Sequence, residues 1–161
     1  MIYLDYQATT PPAPEVVAAM EPWNGEHFAN PHSPSRWGRE AEAAIEHARS
    51  TIDKALGLKR GRLAFTGGAT EAINWALKGT MEKAEPGRNR IVTIATEHAA
   101  VLDTCEWLTE RGHQLVVLPV GADGLVDLDV AEAAIDEHTA IVAAMLVNNE
   151  IGIIKCLAEL Y

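Results

Sequence analysis

Cysteine and basic residues are scarce in this sequence. Two cysteines among 161 residues cannot build the disulfide framework of a small secreted domain. The 13 basic residues are outnumbered by 23 acidic ones, and the net charge of −10 argues against nucleic acid or an anionic membrane surface as a partner. No apolar run reaches the roughly 20 residues of a membrane span, and the N-terminus lacks the features of a signal peptide. We therefore expect a cytoplasmic protein.

What the sequence does contain is the composition of an ordinary globular domain, with 48% hydrophobic and 22% charged residues. Six of the eight prolines fall within the first 35 residues. They leave room for only a short helix near residues 15–20. The pattern predicts an N-terminal arm over residues 1–35, which has no core of its own and lies on the following domain or on a partner subunit.

From Ser35 onward the pattern becomes regular. Apolar residues recur at steps of three and four up to Gly57, which predicts one long helix with an apolar stripe that starts at Trp37. Strands and helices then alternate. The predicted strands are 62–66, 90–95, 114–120 and 139–147, and the predicted helices are 68–82, 98–111 and 127–137.

This alternation predicts an α/β fold: a mainly parallel sheet with helices on both faces. The pattern leaves the order of the strands open. Residues 139–147 form a continuous apolar run, which predicts a strand that is buried on both faces. In such sheets ligands bind at the carboxyl ends of the strands, so the turns that follow the strands are the candidate sites.

The first such turn contains Gly67, Gly68, Ala69 and Thr70. Two glycines allow the backbone to approach a ligand closely, and the helix that follows presents unpaired amides and the positive end of its dipole. The turn therefore has the chemistry of a phosphate site, although it has neither the Walker spacing nor the dinucleotide-binding spacing. The alternative is a plain strand-to-helix turn with Thr70 as the cap.

The other two turns carry a histidine and a pair of asparagines. In Thr96-Glu97-His98 we expect Thr96 to cap the next helix, with His98 facing the same rim as Thr70, where it can stack on an aromatic ligand or relay a proton. Asn149, after the last strand, can hold a ring oxygen. The alternatives are a surface histidine and ordinary turn chemistry. Together the three turns favour a phosphorylated, aromatic ligand.

The two cysteines carry less information. Cys105 lies on the inward stripe of a predicted helix and is expected in the core. Cys156 stands beside Lys155 with no base in view, and we interpret it as incidental.

Five motifs occur in one order along the chain: YLDYQATTP (3–11), NPHS (30–33), FTGGATE (65–71), TEHAAVLD (96–103) and VNNEIG (147–152). Together they resemble the N-terminal part of cysteine desulfurases of the nitrogen-fixation and iron–sulfur-cluster type. These are pyridoxal-phosphate (PLP) enzymes of the class V aminotransferase family, with the aspartate-aminotransferase fold. The resemblance covers essentially the whole chain and implies that residues 36–161 are the N-terminal half of the PLP-binding large domain.

The resemblance also implies residue roles. Ala69 and Thr70 match the residues that bind the PLP phosphate, and His98 matches the catalytic histidine that stacks on the ring and assists proton transfer. Asn149 matches the asparagine near the phenolic oxygen of the ring. The implied reaction converts L-cysteine to L-alanine and passes the sulfur, as a persulfide, to an acceptor or iron–sulfur scaffold protein. The resemblance implies a homodimer, and it implies no metal ligand.

The sequence also departs from the family pattern. Gly67 replaces the usual serine, and Lys155 and Cys156 stand where Gln and Pro are common. In the family, four further functional residues follow beyond the position of Tyr161: the Schiff-base lysine, the persulfide cysteine, the ring-nitrogen aspartate and the carboxylate-binding arginine. This sequence contains no His-Lys dipeptide. We therefore expect this chain to be inactive alone. Three explanations stay open from the sequence: a piece of a longer enzyme, a truncated gene product, or a small protein that reuses half of the fold.

Other functions remain open from the sequence. Within the same superfamily the alternatives are a selenocysteine lyase or another PLP enzyme. Outside it, the alternative is a non-catalytic binding or assembly module.

Overall fold

A computed structural model of the chain describes residues 2–58, 62–155 and 157–159. The chain falls into two compact units, Met1–Phe65 and Thr66–Tyr161. The boundary between these units lies thirty residues beyond the one expected after residue 35. The division into an arm, 1–35, and a partial large domain, 36–161, stays a prediction.

The first unit contains the two helices that the sequence predicts before residue 58. Helix α1 (Pro14–Met20) is the short helix expected in the arm, and a 3₁₀ turn (Glu21–Asn24) follows it. Helix α2 (Arg36–Leu56) is the long helix. The hydroxyl of Ser35 accepts the Gly38 amide at its start, and Gly57, at φ 63°, ends it in the left-handed conformation. Both expected end signals of α2 are therefore confirmed.

The apolar stripe of α2 is largely exposed in this chain. Trp37 is 65% exposed, and the buried residues of the helix are Gly38 and Ala41. A side chain at Gly38 would collide with the Ser33 carbonyl. This glycine therefore lets the preceding turn lie against the first turn of α2.

The second unit is built on three parallel strands, β1 (Arg90–Ile94), β2 (Gln114–Leu118) and β3 (Thr139–Ala143). Their order is β2-β1-β3, so β1 is central. Ile91, for example, pairs with Leu115 on one side and Ile141 on the other. The predicted parallel sheet is confirmed.

Helices cover both faces of β1, as predicted. On one face Ile91 packs with side chains of α3 (Ala69–Lys83) and α4 (Ala99–Thr109). On the other face Val92 and Ile94 pack with Ala131 of α5 (Leu128–Ala134). Successive residues of a strand point to opposite faces, which places β1 between the two layers. The helix residues buried against Ile91 are Leu77, Met81, Val101, Cys105 and Leu108.

Two strand predictions are wrong. Residues 62–66 form no strand, because a strand needs a hydrogen-bonded neighbour and this segment pairs with none of the three strands of the sheet. The predicted strand 139–147 ends at Ala143, and β3 is an edge strand, with Val142 36% exposed. It is therefore not buried on both faces. Beyond it the chain turns into a hairpin closed by an antiparallel bridge between Val147 and Ile154.

Helix α5 also ends earlier than predicted. Asp127 caps it by accepting the amides of Asp129 and Val130. Ile135 leaves the helical conformation, with φ −98° and ψ 111°, so residues 135–137 are not helical. Among the residues that the structure describes, no helix is both long and apolar enough to cross a membrane.

Candidate functional site

The turn before α3 is an open helix N-terminus. Gly68 is the N-cap residue, and no side chain in the described ranges caps the helix. Thr66 instead donates its hydroxyl to the Gly68 carbonyl, 3.0 Å away, which stiffens the turn. The first amides of an α-helix have no partner within the helix. Those of Ala69 and Thr70 therefore remain for a ligand or water, at the positive end of the helix dipole.

A carboxylate already lies at this turn. Glu71 accepts the Gly67 amide through Oε2 at 2.6 Å, and a Cβ at Gly67 would lie 3.2 Å from the same oxygen. Any anion bound at the turn must therefore share it with the negative charge of Glu71. Glu71 lies within the FTGGATE motif, but nothing in its position along the sequence predicts this contact.

His98 starts the next helix. It is the N-cap of α4, and its Nδ1 accepts the Ala100 amide at 3.0 Å. The expectation that Thr96 is the cap is wrong, because the helix begins two residues later than a Thr96 cap requires. An Nδ1 that accepts a hydrogen bond carries no proton, so the neutral ring holds its proton at Nε2.

The α3 turn and His98 line the same cleft. Its volume is about 790 Å³, within the range of small-molecule sites. Ala69, Thr70 and His98 all line it. The lining residues are Gly67, Gly68, Ala69, Thr70, Glu71, Ile73, Asn74, His98 and Ala100. The structure thus brings three of the four predicted site residues together.

Asn149 is not part of this cleft lining. Its side chain is exposed and donates to Glu150 Oε1 at 3.2 Å. Its neighbour Asn148 is the buried member of the pair, and its Nδ2 donates to the Thr96 carbonyl at 2.6 Å. Asn148 also accepts the amides of Glu150 and Ile151. The loop that carries Asn149 is therefore fastened to the turn that carries His98.

Next to His98 in sequence, Glu97 takes part in a buried ion pair. Lys155 Nζ is 3.3 Å from Glu97 Oε1, and the two side chains are 4% and 2% exposed. The same carboxylate oxygen accepts the Met145 amide at 2.8 Å. Sequence reasoning missed this pair because the partners are 58 positions apart. The only hint was Lys155 itself, a lysine where the resembling family commonly has glutamine.

Cys105 lies in the core, as predicted, with no exposed surface. Burial raises the pKa of its thiol to about 11, and the nearby Glu97 carboxylate contributes to the rise. At neutral pH the thiol is protonated and a poor nucleophile. Cys156 lies outside the described residues.

A model of the aminotransferase class-V family matches residues 2–161 of the chain. The chain belongs to this family. A curated class-V relative, the cysteine desulfurase IscS of Rickettsia massiliae, is 44% identical over 160 residues. That match covers 99% of this chain and 39% of the relative, so the chain spans well under half of the relative's length.

Solved structures of the same kind share the fold. A NifS-like protein superposes with a TM-score of 0.93 at 36% identity, covering 99% of this chain and 44% of that one. The apo cysteine desulfurase of Thermococcus onnurineus superposes with a TM-score of 0.86 at 29% identity, covering 99% and 40%. The resemblance seen in the five sequence motifs is therefore confirmed.

Proposed function

We propose that this chain forms the phosphate- and ring-binding part of a PLP-dependent cysteine desulfurase. The whole enzyme converts L-cysteine to L-alanine and passes the sulfur, as a persulfide, to an acceptor or iron–sulfur scaffold protein. A cytoplasmic homodimer is part of the same proposal. One observation carries it: the uncapped N-terminus of α3 and the His98 ring line one cleft.

The residues of the cleft fit the phosphate end of PLP. The amides of Ala69 and Thr70 and the hydroxyl of Thr70 supply donors at the positive end of the helix dipole. PLP, when bound, supplies an electron sink for bond breaking at the Cα of an amino acid. The binding groups of this chain fix the phosphate end and leave the ring beside His98.

His98 has the properties that a ring-stacking and proton-holding residue needs. Its bond to the Ala100 amide fixes the orientation of the imidazole. That bond uses Nδ1, so the proton of the neutral ring lies at Nε2, where it can donate a hydrogen bond to a ligand. Asn149 has an exposed amide, which we place near the phenolic oxygen of the ring when the ligand is bound.

The fit also limits the affinity expected of this chain. Helix amides and one hydroxyl contribute about 1–3 kcal/mol to phosphate binding. An open stacking contact with His98 adds about 1 kcal/mol. These contributions add to about 4 kcal/mol at most before the entropy of association is subtracted, so binding is expected to be millimolar or weaker.

A titration followed by ¹H–¹⁵N NMR tests this proposal. PLP is expected to cause saturable shifts at Gly68–Glu71 and His98, and inorganic phosphate only at Gly68–Glu71. Thr70→Val should weaken both ligands, whereas Thr80→Val, near the other end of α3, should weaken neither. Shifts that avoid the α3 turn, or equal effects of the two variants, would contradict the proposal.

A further inference from the structure

The Glu97–Lys155 pair is the one buried ion pair among the described residues, and it lies directly beside a proposed site residue. Glu97 immediately precedes His98, the N-cap of α4. A side chain fixed at position 97 therefore limits where the backbone of His98 can lie. A buried charge pair is expensive to desolvate and is weak support for stability alone. Its placement suggests a different use.

The Glu97 carboxylate has partners in two segments of the chain. It accepts the Met145 amide, just after β3, and it pairs with Lys155 near the far end of the hairpin that follows. The Lys155 backbone amide also donates to the Leu146 carbonyl. One oxygen atom of Glu97 therefore holds both strands of the hairpin against the turn before α4.

Asn148 makes the complementary connection. Its amide donates to the Thr96 carbonyl, on the other side of Glu97 in sequence. The turn 96–98 is thus tied to the hairpin by a side chain from each partner. Without Lys155, the Glu97 carboxylate would be a buried charge without a counter-ion, and the least costly response is to turn out toward water.

We propose that Glu97 and Lys155 are positioning residues for His98: their buried pair holds the turn in which His98 caps α4 and faces the cleft. Lys155 is not among the described residues that line the cleft, and it acts through Glu97. This inference rests on the proposed function in one respect: the ligand that His98 faces. Cys105 is the other titratable group whose environment includes Glu97.

The test uses the full 161-residue chain without a ligand. In Lys155→Met, the His98 Nδ1 resonance and the Ala100 amide proton should lose the signature of their hydrogen bond. Exchange of the Met145 amide should accelerate at least about tenfold, while Leu108, near the other end of α4, keeps its protection. Lys155→Arg should restore both signals, because its guanidinium group supplies both the counter-charge and a donor to Glu97. Lys83→Met, an exposed site, is the matched control.

A second variant keeps the proposal testable if Lys155→Met does not fold. The double variant Glu97→Met/Lys155→Met leaves no buried charge and is expected to fold, since apolar replacement of a buried pair is often neutral. It removes the acceptor of the Met145 amide, so the His98–Ala100 bond should still be lost. Retention of that bond in the double variant would overturn the proposal, as would an equal rise in exchange at Met145 and Leu108 in Lys155→Met.

These readouts separate the proposal from the proposed function. None of them uses PLP or phosphate. Failure of PLP to bind the wild-type chain would contradict the proposed function and leave the positioning of His98 intact.

Discussion

The carboxylate of Glu71 accepts a hydrogen bond from the amide of Gly67, across the turn that precedes α3. This contact holds the turn in shape before any ligand arrives. It also places a negative charge in the wall of the cleft where we expect a phosphate. The same residue therefore shapes the site and opposes its ligand.

Glu71→Gln is expected to increase the affinity for inorganic phosphate and for PLP by about twofold to fivefold, the usual value of one exposed charge near a helix N-terminus. The glutamine oxygen can still accept the Gly67 amide, so the turn should persist. NMR titrations at low and high salt measure the effect, which should shrink as salt screens the charge. Glu82→Gln, near the opposite end of α3, serves as the control. Weaker binding in Glu71→Gln would show that its charge is not in opposition to the ligand.

The two neighbouring asparagines should behave differently on substitution. Asn148→Ala removes a buried side chain with three hydrogen-bonded partners and should lower the free energy of unfolding by about 2–3 kcal/mol. Asn149→Ala should change it by less than about 0.5 kcal/mol, because that side chain is exposed. Urea unfolding of both variants measures the difference. Equal losses of stability would contradict the assignment of Asn148 as the structural member.

The thiol of Cys105 should be unreactive in the folded chain. In a Cys156→Ser background, a disulfide reagent at pH 8 is expected to label Cys105 only after denaturant is added, since its pKa is about 11 and it has no exposed surface. The raised pKa also predicts a pH effect. The folded state is stable below the ordinary thiol pKa of 9.0 and loses stability as the pH rises from there toward 11.

Urea unfolding at pH 8 and pH 10 checks this effect. Cys105→Ala should lack the part of the decline that comes from the thiol, although its core is less well packed. A decline of the same size in Cys105→Ala would assign the pH effect to other groups.

No lysine of this chain is expected to be labelled stoichiometrically by PLP and borohydride. Lys155 is the lysine nearest in sequence to the Asn149 turn, but its ammonium group is buried and paired with Glu97. No lysine occurs among the described residues that line the cleft. Peptide mapping after reduction measures the labelling. Lysozyme treated with PLP and borohydride in the same way is the control for random reaction at surface lysines. A single fully labelled lysine would contradict the account.

The sequence predicts those features of the fold that depend on local chemistry. Ser35 and Gly57 mark the ends of α2 because capping and the left-handed conformation are properties of single residues. The alternation of predicted strands and helices indicates the parallel sheet, because that inference depends only on the order of segments along the chain. The exposure of β3 could not be predicted, because it depends on which strands are neighbours, and 62–66 has the composition of a strand without a partner.

The residues of the candidate site likewise fall into those that the sequence predicts and those that it does not. Gly68, Thr70 and His98 are found by their positions in turns after predicted strands. The His98 cap, however, depends on a shift of two residues, and the choice between Asn148 and Asn149 depends on which side chain faces the Thr96 carbonyl. The pairing of Glu97 with Lys155 joins segments 58 positions apart and leaves no local pattern.

The most direct test of the central claim is a structure of the chain with 4′-deoxypyridoxine 5′-phosphate, a PLP analogue that cannot react with lysine. The account predicts the phosphate at the amides of Ala69 and Thr70 and the ring against His98. Binding of the analogue elsewhere, for example in the cavity between Arg88 and Leu157 beside β3, with the α3 turn left free, would contradict it.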